Sequence, residues 1–125
     1  MSECISLTGG GYTAVIDTAH GADCVSLRCE RFGARIVREC EGERDNPYLY
    51  GMPILFPANR ISGGTFDAMG RTYRFPVNEP KTGCHLHGTL HETPAAVLAG
   101  SADSLLCRIS SPYPDFPHAF SVDIA

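Results

Sequence analysis

Gly64 to Pro76 reads GTFDAMGRTYRFP, and the fold turns on how this stretch is read. Tyr73 and Phe75 alternate with Arg74 on one arm, and Phe66 stands on the other, with Met69-Gly70 between them. Apolar and polar side chains taking turns is the period-two pattern of a strand, and the central turn makes the stretch a β-hairpin. Outward in both directions the chain repeats that logic. Thr13 to Asp17, Ala22 to Arg28 and Gly33 to Arg38 read as short strands, set off by the GGG of residues 9–11 and by His20-Gly21. Asp45 to Tyr50 is loop-like, and the apolar run Met52 to Phe56, broken only by Pro53, is expected to be a buried strand. Ala95 to Ala99 and Ser104 to Ile109 form a second hairpin across Gly100 to Asp103, and Ala119 to Ala125 alternates like a strand. No stretch of a dozen residues has helical periodicity. Many short strands with frequent turns predict an all-β, antiparallel sandwich or barrel.

The 125 residues amount to one domain, with 43% hydrophobic and 19% charged residues. A net charge of −4 and scattered Lys and Arg offer no basic stripe, which argues against a nucleic-acid partner. There is no apolar run of the ~20 residues that a membrane span needs. The N-terminus carries neither a basic nor an apolar leader segment, so a cytoplasmic location is expected. The six cysteines, Cys4, Cys24, Cys29, Cys40, Cys84 and Cys107, are then expected to be reduced, mostly as small buried hydrophobes. The last strand stops in mid-pattern at Ala125, which suggests a chain cut short and leaves an apolar edge.

Two places carry candidate chemistry. Asn59-Arg60 closes the apolar run, where it is either a ligand contact or a strand end with Arg60 in solvent. Lys81 to His91 reads KTGCHLHGTLH. On an extended strand, His85 and His87 share one face and Cys84 and Leu86 the other. Cys84, His85, His87 and His91 are candidate metal ligands, but ligands on opposite faces converge poorly and no second pair follows, so no metal and no cofactor are expected. The remaining alternatives are a histidine held by backbone hydrogen bonds or His87 as a neutral imidazole facing a polar ligand, with Gly88 allowing close approach.

Taken in order, GMPILFPANRISGGTF, RTYRFPVNEP and HLHG resemble the N-terminal part of the aldose 1-epimerases, the galactose mutarotases. The matching positions are Asn59-Arg60-Ile61, the hairpin Gly63 to Phe75, Asn78 in a P-x-N turn, and Leu86-His87-Gly88. Gly21, Ala22, Ser26 and Leu27 resemble an earlier strand of that family, and residues 111–125 resemble the approach to a later one. The PILFP variant resembles the broader mutarotase-like branch. The resemblance implies an antiparallel β-supersandwich of which residues 1–125 are an incomplete N-terminal part of one domain. It implies a hexose as small-molecule partner, with Asn59, Arg60 and His87 as substrate-binding residues. Sugar hydroxyls are neutral donors and acceptors, which a guanidinium fork and an imidazole suit. The implied reaction interconverts α and β anomers by acid/base ring opening. The family's acid histidine and base glutamate lie beyond residue 125, and neither His118 nor Glu79 nor Glu92 matches them, so whether this chain is itself an enzyme stays open. A non-catalytic carbohydrate-binding module and a sugar-phosphate epimerase are the alternatives. The latter calls for extra cations near the cleft, where only Arg60, Arg71, Arg74 and Lys81 stand.

Overall fold

The computed structural model describes residues 4–110, 113 and 116–125. Eleven strands make four antiparallel groups among these residues, and none of them forms an α-helix. The first sheet takes β1 (Cys4–Gly9), β2 (Tyr12–Asp17), β3 (Asp23–Cys29) and β4 (Ala34–Arg35) in simple sequential order. β1 is an addition to the strands predicted above. It pairs with β2 through a two-residue turn at Gly10-Gly11, both with positive φ, the geometry that suits the twist of a hairpin.

The hairpin read first is present as β6 (Thr65–Ala68) and β7 (Arg71–Arg74). Phe66 lies directly opposite Tyr73, and the two rings stack at 4.9 Å between centroids. Tyr73 is buried and its hydroxyl lies 3.0 Å from Nε2 of His118. Met69 and Gly70 turn the chain with φ of 51° and 73°. Preceding them, β5 (Arg60–Ser62) pairs with β8 (Cys84–Leu86), so the hairpin is an excursion between the two strands that frame the candidate site.

β9 (Ala96–Gly100), β10 (Leu105–Ser110) and β11 (Ser121–Ile124) form a third sheet with β10 at its centre. Cys107 and Ile109 of β10 are buried, whereas every residue of β9 is exposed. A bond from Thr8 N–H to the Ala102 carbonyl, 2.8 Å, ties this sheet's turn to β1. Residues 111–112 and 114–115, within the segment compared with a later family strand, lie outside the described residues. All six cysteines are free thiols, but only Cys29 and Cys107 are buried, which corrects the expectation that most are small buried hydrophobes.

Two expected strands are also corrected. Met52 to Phe56 is no strand: Phe56 alone forms an isolated bridge, to Gly88, and Met52 and Phe56 are about half exposed. Pro53 and Pro57 supply no N–H to a ladder and constrain the residues before them, so the run is pinned at one end by Met52 N–H to Asp23 Oδ1, 2.8 Å. Gly33 to Arg38 keeps only two strand residues. Beyond them one main-chain bond, Ile36 N–H to the Leu27 carbonyl at 2.7 Å, continues to β3, and the Glu39 carboxylate adds bonds from Ser26 Oγ at 2.6 Å and Arg28 Nε at 2.8 Å.

Candidate functional site

The site begins where β5 and β8 leave their ladder. Arg60 faces Leu86 as the last regular pair, and on either side of it Asn59 and His87 adopt φ of 66° and 63°. Asparagine and histidine are among the few non-glycine residues that enter this left-handed region with any frequency. The two residues are bonded reciprocally: His87 N–H donates to the Asn59 carbonyl at 3.0 Å, and Asn59 N–H donates to His87 Nδ1 at 2.9 Å. The Asn59 side chain turns back, its Oδ1 accepting Arg60 N–H at 3.0 Å. At Gly88 a Cβ would overlap the Phe56 carbonyl oxygen and the Tyr113 hydroxyl, so the turn after His87 needs glycine.

Asn78 serves β8 as a substitute strand. Its Nδ2 donates to the Leu86 carbonyl at 2.9 Å and its Oδ1 accepts Leu86 N–H at 2.6 Å. The next residue, Glu79, meets Arg60 with both carboxylate oxygens, at 2.6 Å from Nε and 3.0 Å from Nη2, and Thr82 Oγ1 donates to the same group. Hydrogen bonds from Arg60 and then Thr82 hold the Glu79 carboxyl down at about 2. Arg60 is thereby kept firmly cationic, and its guanidinium is oriented from behind while half of the side chain stays exposed.

The alternation expected for residues 84–87 ends at Leu86, because the left-handed turn at His87 breaks the strand. His85 is buried, donates through Nδ1 to the Pro76 carbonyl at 2.7 Å, and packs its ring 4.9 Å from Phe75. His87 instead lies beside Asn59, and Cys84 Sγ turns to the Thr82 carbonyl. His91 is buried elsewhere in the same wall, and burial pushes its pKa down. Among the described residues, no group of three His, Cys, Asp or Glu side chains stands close enough to hold a metal ion. Nor is any helix among them long and apolar enough to cross a membrane.

Sequence reasoning did not find Tyr48. Its ring meets His87 edge-on at 4.8 Å and His91 at 5.3 Å. A short turn, Pro47–Leu49, carries it, capped by Asn46 Oδ1 accepting Tyr48 N–H at 3.0 Å. Arg44 anchors that loop: its guanidinium pairs with the buried Asp23 and reaches the carbonyls of Pro47 and Tyr50, each at 3.3 Å. The signal was present in the Asn46-Pro47 start of the loop, but nothing local says what the loop covers.

An exposed cation, a half-buried imidazole with one nitrogen engaged, and a tyrosine edge therefore line one corner of an antiparallel scaffold. Comparison with solved structures places that scaffold. A galactose mutarotase-like protein from Clostridium acetobutylicum superposes with a TM-score of 0.88 at 30% identity, over 98% of this chain and 40% of that one. An aldose epimerase homologue from C. elegans has the same fold at a TM-score of 0.76 and 21% identity, over 98% of this chain and 41% of that one. The present chain spans about 40% of the length of these relatives. Residues 3–125 match the aldose 1-epimerase family, and the chain belongs to it.

Proposed function

We propose that this chain is the N-terminal part of a mutarotase-like domain that binds a hexose and serves the interconversion of its α and β anomers. The observation that carries the reading is the meeting of Asn59, Arg60 and His87 at the shared end of β5 and β8, in a chain of the aldose 1-epimerase family. Arg60 offers charged donors, and His87 its remaining ring nitrogen Nε2, to sugar hydroxyl groups. In ring opening, a base takes the C1 hydroxyl proton, the bond from C1 to the ring oxygen breaks, and its electron pair goes to that oxygen, which takes a proton from an acid.

Glu79 and His118 are each already engaged. The Glu79 carboxylate is held at about 2 by Arg60 and Thr82, which makes it a weak proton acceptor near neutral pH. His118 is engaged with the Tyr73 hydroxyl on the hairpin. The family resemblance implies that the acid and base belong to the part of the fold that follows residue 125. The same observation favours a second reading, a carbohydrate-binding module without catalysis. Polarimetry of freshly dissolved α-D-galactose or α-D-glucose tests both. The 125-residue chain is expected to add nothing to the buffer rate, and a chain extended to the length of its relatives to accelerate the decay saturably. An extended chain that binds hexose without acceleration supports the module, and one that neither binds nor accelerates defeats both readings. Rapid catalysis by the 125-residue chain itself would show that acid and base lie within it.

A further inference from the structure

The bond between Asn59 and His87 determines more than a loop conformation. A main-chain N–H can only donate, so Nδ1 of His87 is the unprotonated acceptor. The neutral imidazole then carries its proton on Nε2. His85, two residues earlier, is held the other way: a carbonyl can only accept, so its Nδ1 bears the proton toward Pro76. β8 and the turn that ends it thus present two histidines in opposite tautomers, each fixed by a backbone group.

We propose that Asn59 is a positioning residue, whose left-handed backbone aims its N–H at His87 Nδ1 and so makes His87 a hydrogen-bond donor, through Nε2–H, toward a ligand oxygen. The side chain of Asn59 serves the backbone. Its Oδ1 closes on Arg60 N–H and stabilises the turn from which the main-chain N–H projects. Tyr48 packs edge-on against the same ring at 4.8 Å. Asn59 therefore acts on a ligand through His87, in place of the direct sugar contact that the family resemblance implies. The tautomer stands on hydrogen-bond geometry alone. The identification of the ligand as a hexose rests on the function proposed above.

The test is nitrogen NMR on the 15N-labelled 125-residue chain near pH 8.5, about two units above the ordinary imidazole value of about 6.5. The expected spectrum shows a protonated Nε2 and a bare Nδ1 for His87, and the reverse for His85. A scalar coupling across the hydrogen bond should link the Asn59 amide nitrogen to His87 Nδ1. Asn59→Gly keeps both the N–H and the left-handed backbone, and retains this signature. Asn59→Val, whose branched side chain resists that backbone, is expected to leave His87 as a mixture of tautomers. An Nδ1-protonated His87 in the unsubstituted chain overturns the assignment, as does an unchanged His87 spectrum in Asn59→Val. If the valine variant does not fold, a folded Asn59→Gly that has lost the coupling is equally fatal. Titration with D-galactose of a chain extended to the length of its relatives then separates the two claims. A shift of the His87 Nε2–H, with affinity about tenfold weaker in Asn59→Val, supports the donor role. A fixed tautomer with no response to galactose or glucose leaves the positioning by Asn59 intact and removes the hexose.

Discussion

Two of the arginine–carboxylate pairs that hold loops to strands stand in opposite surroundings. Arg44 and Asp23 meet under the loop that carries Tyr48, where Asp23 is only 1% exposed and Arg44 also serves two carbonyls. Arg60 and Glu79 meet at the surface, with Arg60 about half exposed. A buried pair matters to the fold chiefly through what its loss leaves behind, an uncompensated charge out of water. An exposed pair adds little to stability because water screens it and two long side chains must be ordered. It can still orient a guanidinium. The first pair is architecture and the second is available to a ligand.

The comparison is broken most directly at Arg44. Arg44→Met strands the Asp23 carboxylate and is expected to cost about 3–5 kcal/mol in urea unfolding. That is a large part of the roughly 5–15 kcal/mol that stabilises an ordinary domain. Replacing both partners, Arg44→Met with Asp23→Leu, should recover part of the loss, since no bare charge remains. A single variant that unfolds at the same urea concentration as the parent would remove the distinction between the two pairs.

Gly88→Ala comes next. The left-handed backbone alone costs a non-glycine residue about 1–3 kcal/mol, and the new Cβ must also displace the Phe56 carbonyl. Thermal unfolding should show the loss. His87 ring signals should move with it, because Gly88 sets where the chain goes after that residue. Full stability in Gly88→Ala would mean that the bridge from Phe56 to Gly88 is dispensable.

At the exposed pair the expectation reverses. Glu79→Ala should change stability by less than roughly a third of the Arg44→Met effect. Arg60→Ala should be similarly mild for folding and yet weaken hexose binding by roughly tenfold or more, measured calorimetrically on a chain of family length. If Arg60→Ala instead unfolds the protein while hexose affinity per folded molecule is unchanged, the two pairs have exchanged roles.

These contrasts also mark what was legible in the sequence. The hairpin Thr65 to Arg74 was readable because its evidence is local: a period of two, Met69-Gly70 at the turn, and Phe66 opposite Tyr73. Asn59, Arg60 and His87 were named from motifs, and the antiparallel pairing of β5 with β8 brings all three to one end of the ladder. The Asp23–Arg44 pair was invisible because its partners stand 21 residues apart with no pattern linking them. Tyr48 was missed with it, since that pair is what lays its loop over His87 and His91. The faces of His85 and His87 were misassigned for a different reason. Strand alternation assumes an extended backbone, and a φ of 63° at His87 ends it one residue early. Met52 to Phe56 is no strand because Pro53 within the run and Pro57 after it lack the N–H groups of a ladder, which outweighs the run's hydropathy.

The smallest expected effect gives the sharpest reading of the exposed pair. Bonds from Arg60 and Thr82 lower the Glu79 carboxyl from 4.5 to about 2. The sign follows from linkage: the folded value lies below the unfolded one, so the stabilisation is fully present above about 4.5 and is lost as pH falls toward 2. At neutral pH the pair is insensitive to acid, and Arg60 keeps its orientation. Glu39 is an internal control, held at about 2 by Arg28 and Ser26 on another part of the surface. Carboxyl carbon NMR of the folded chain should therefore show two glutamates titrating unusually low. Arg60→Ala should return Glu79 toward the ordinary carboxylate range and leave Glu39 where it was. If Glu79 already titrates near 4.5 in the unsubstituted chain, the bidentate contact is not maintained in solution, and the view of Arg60 as a cation oriented from behind falls with it.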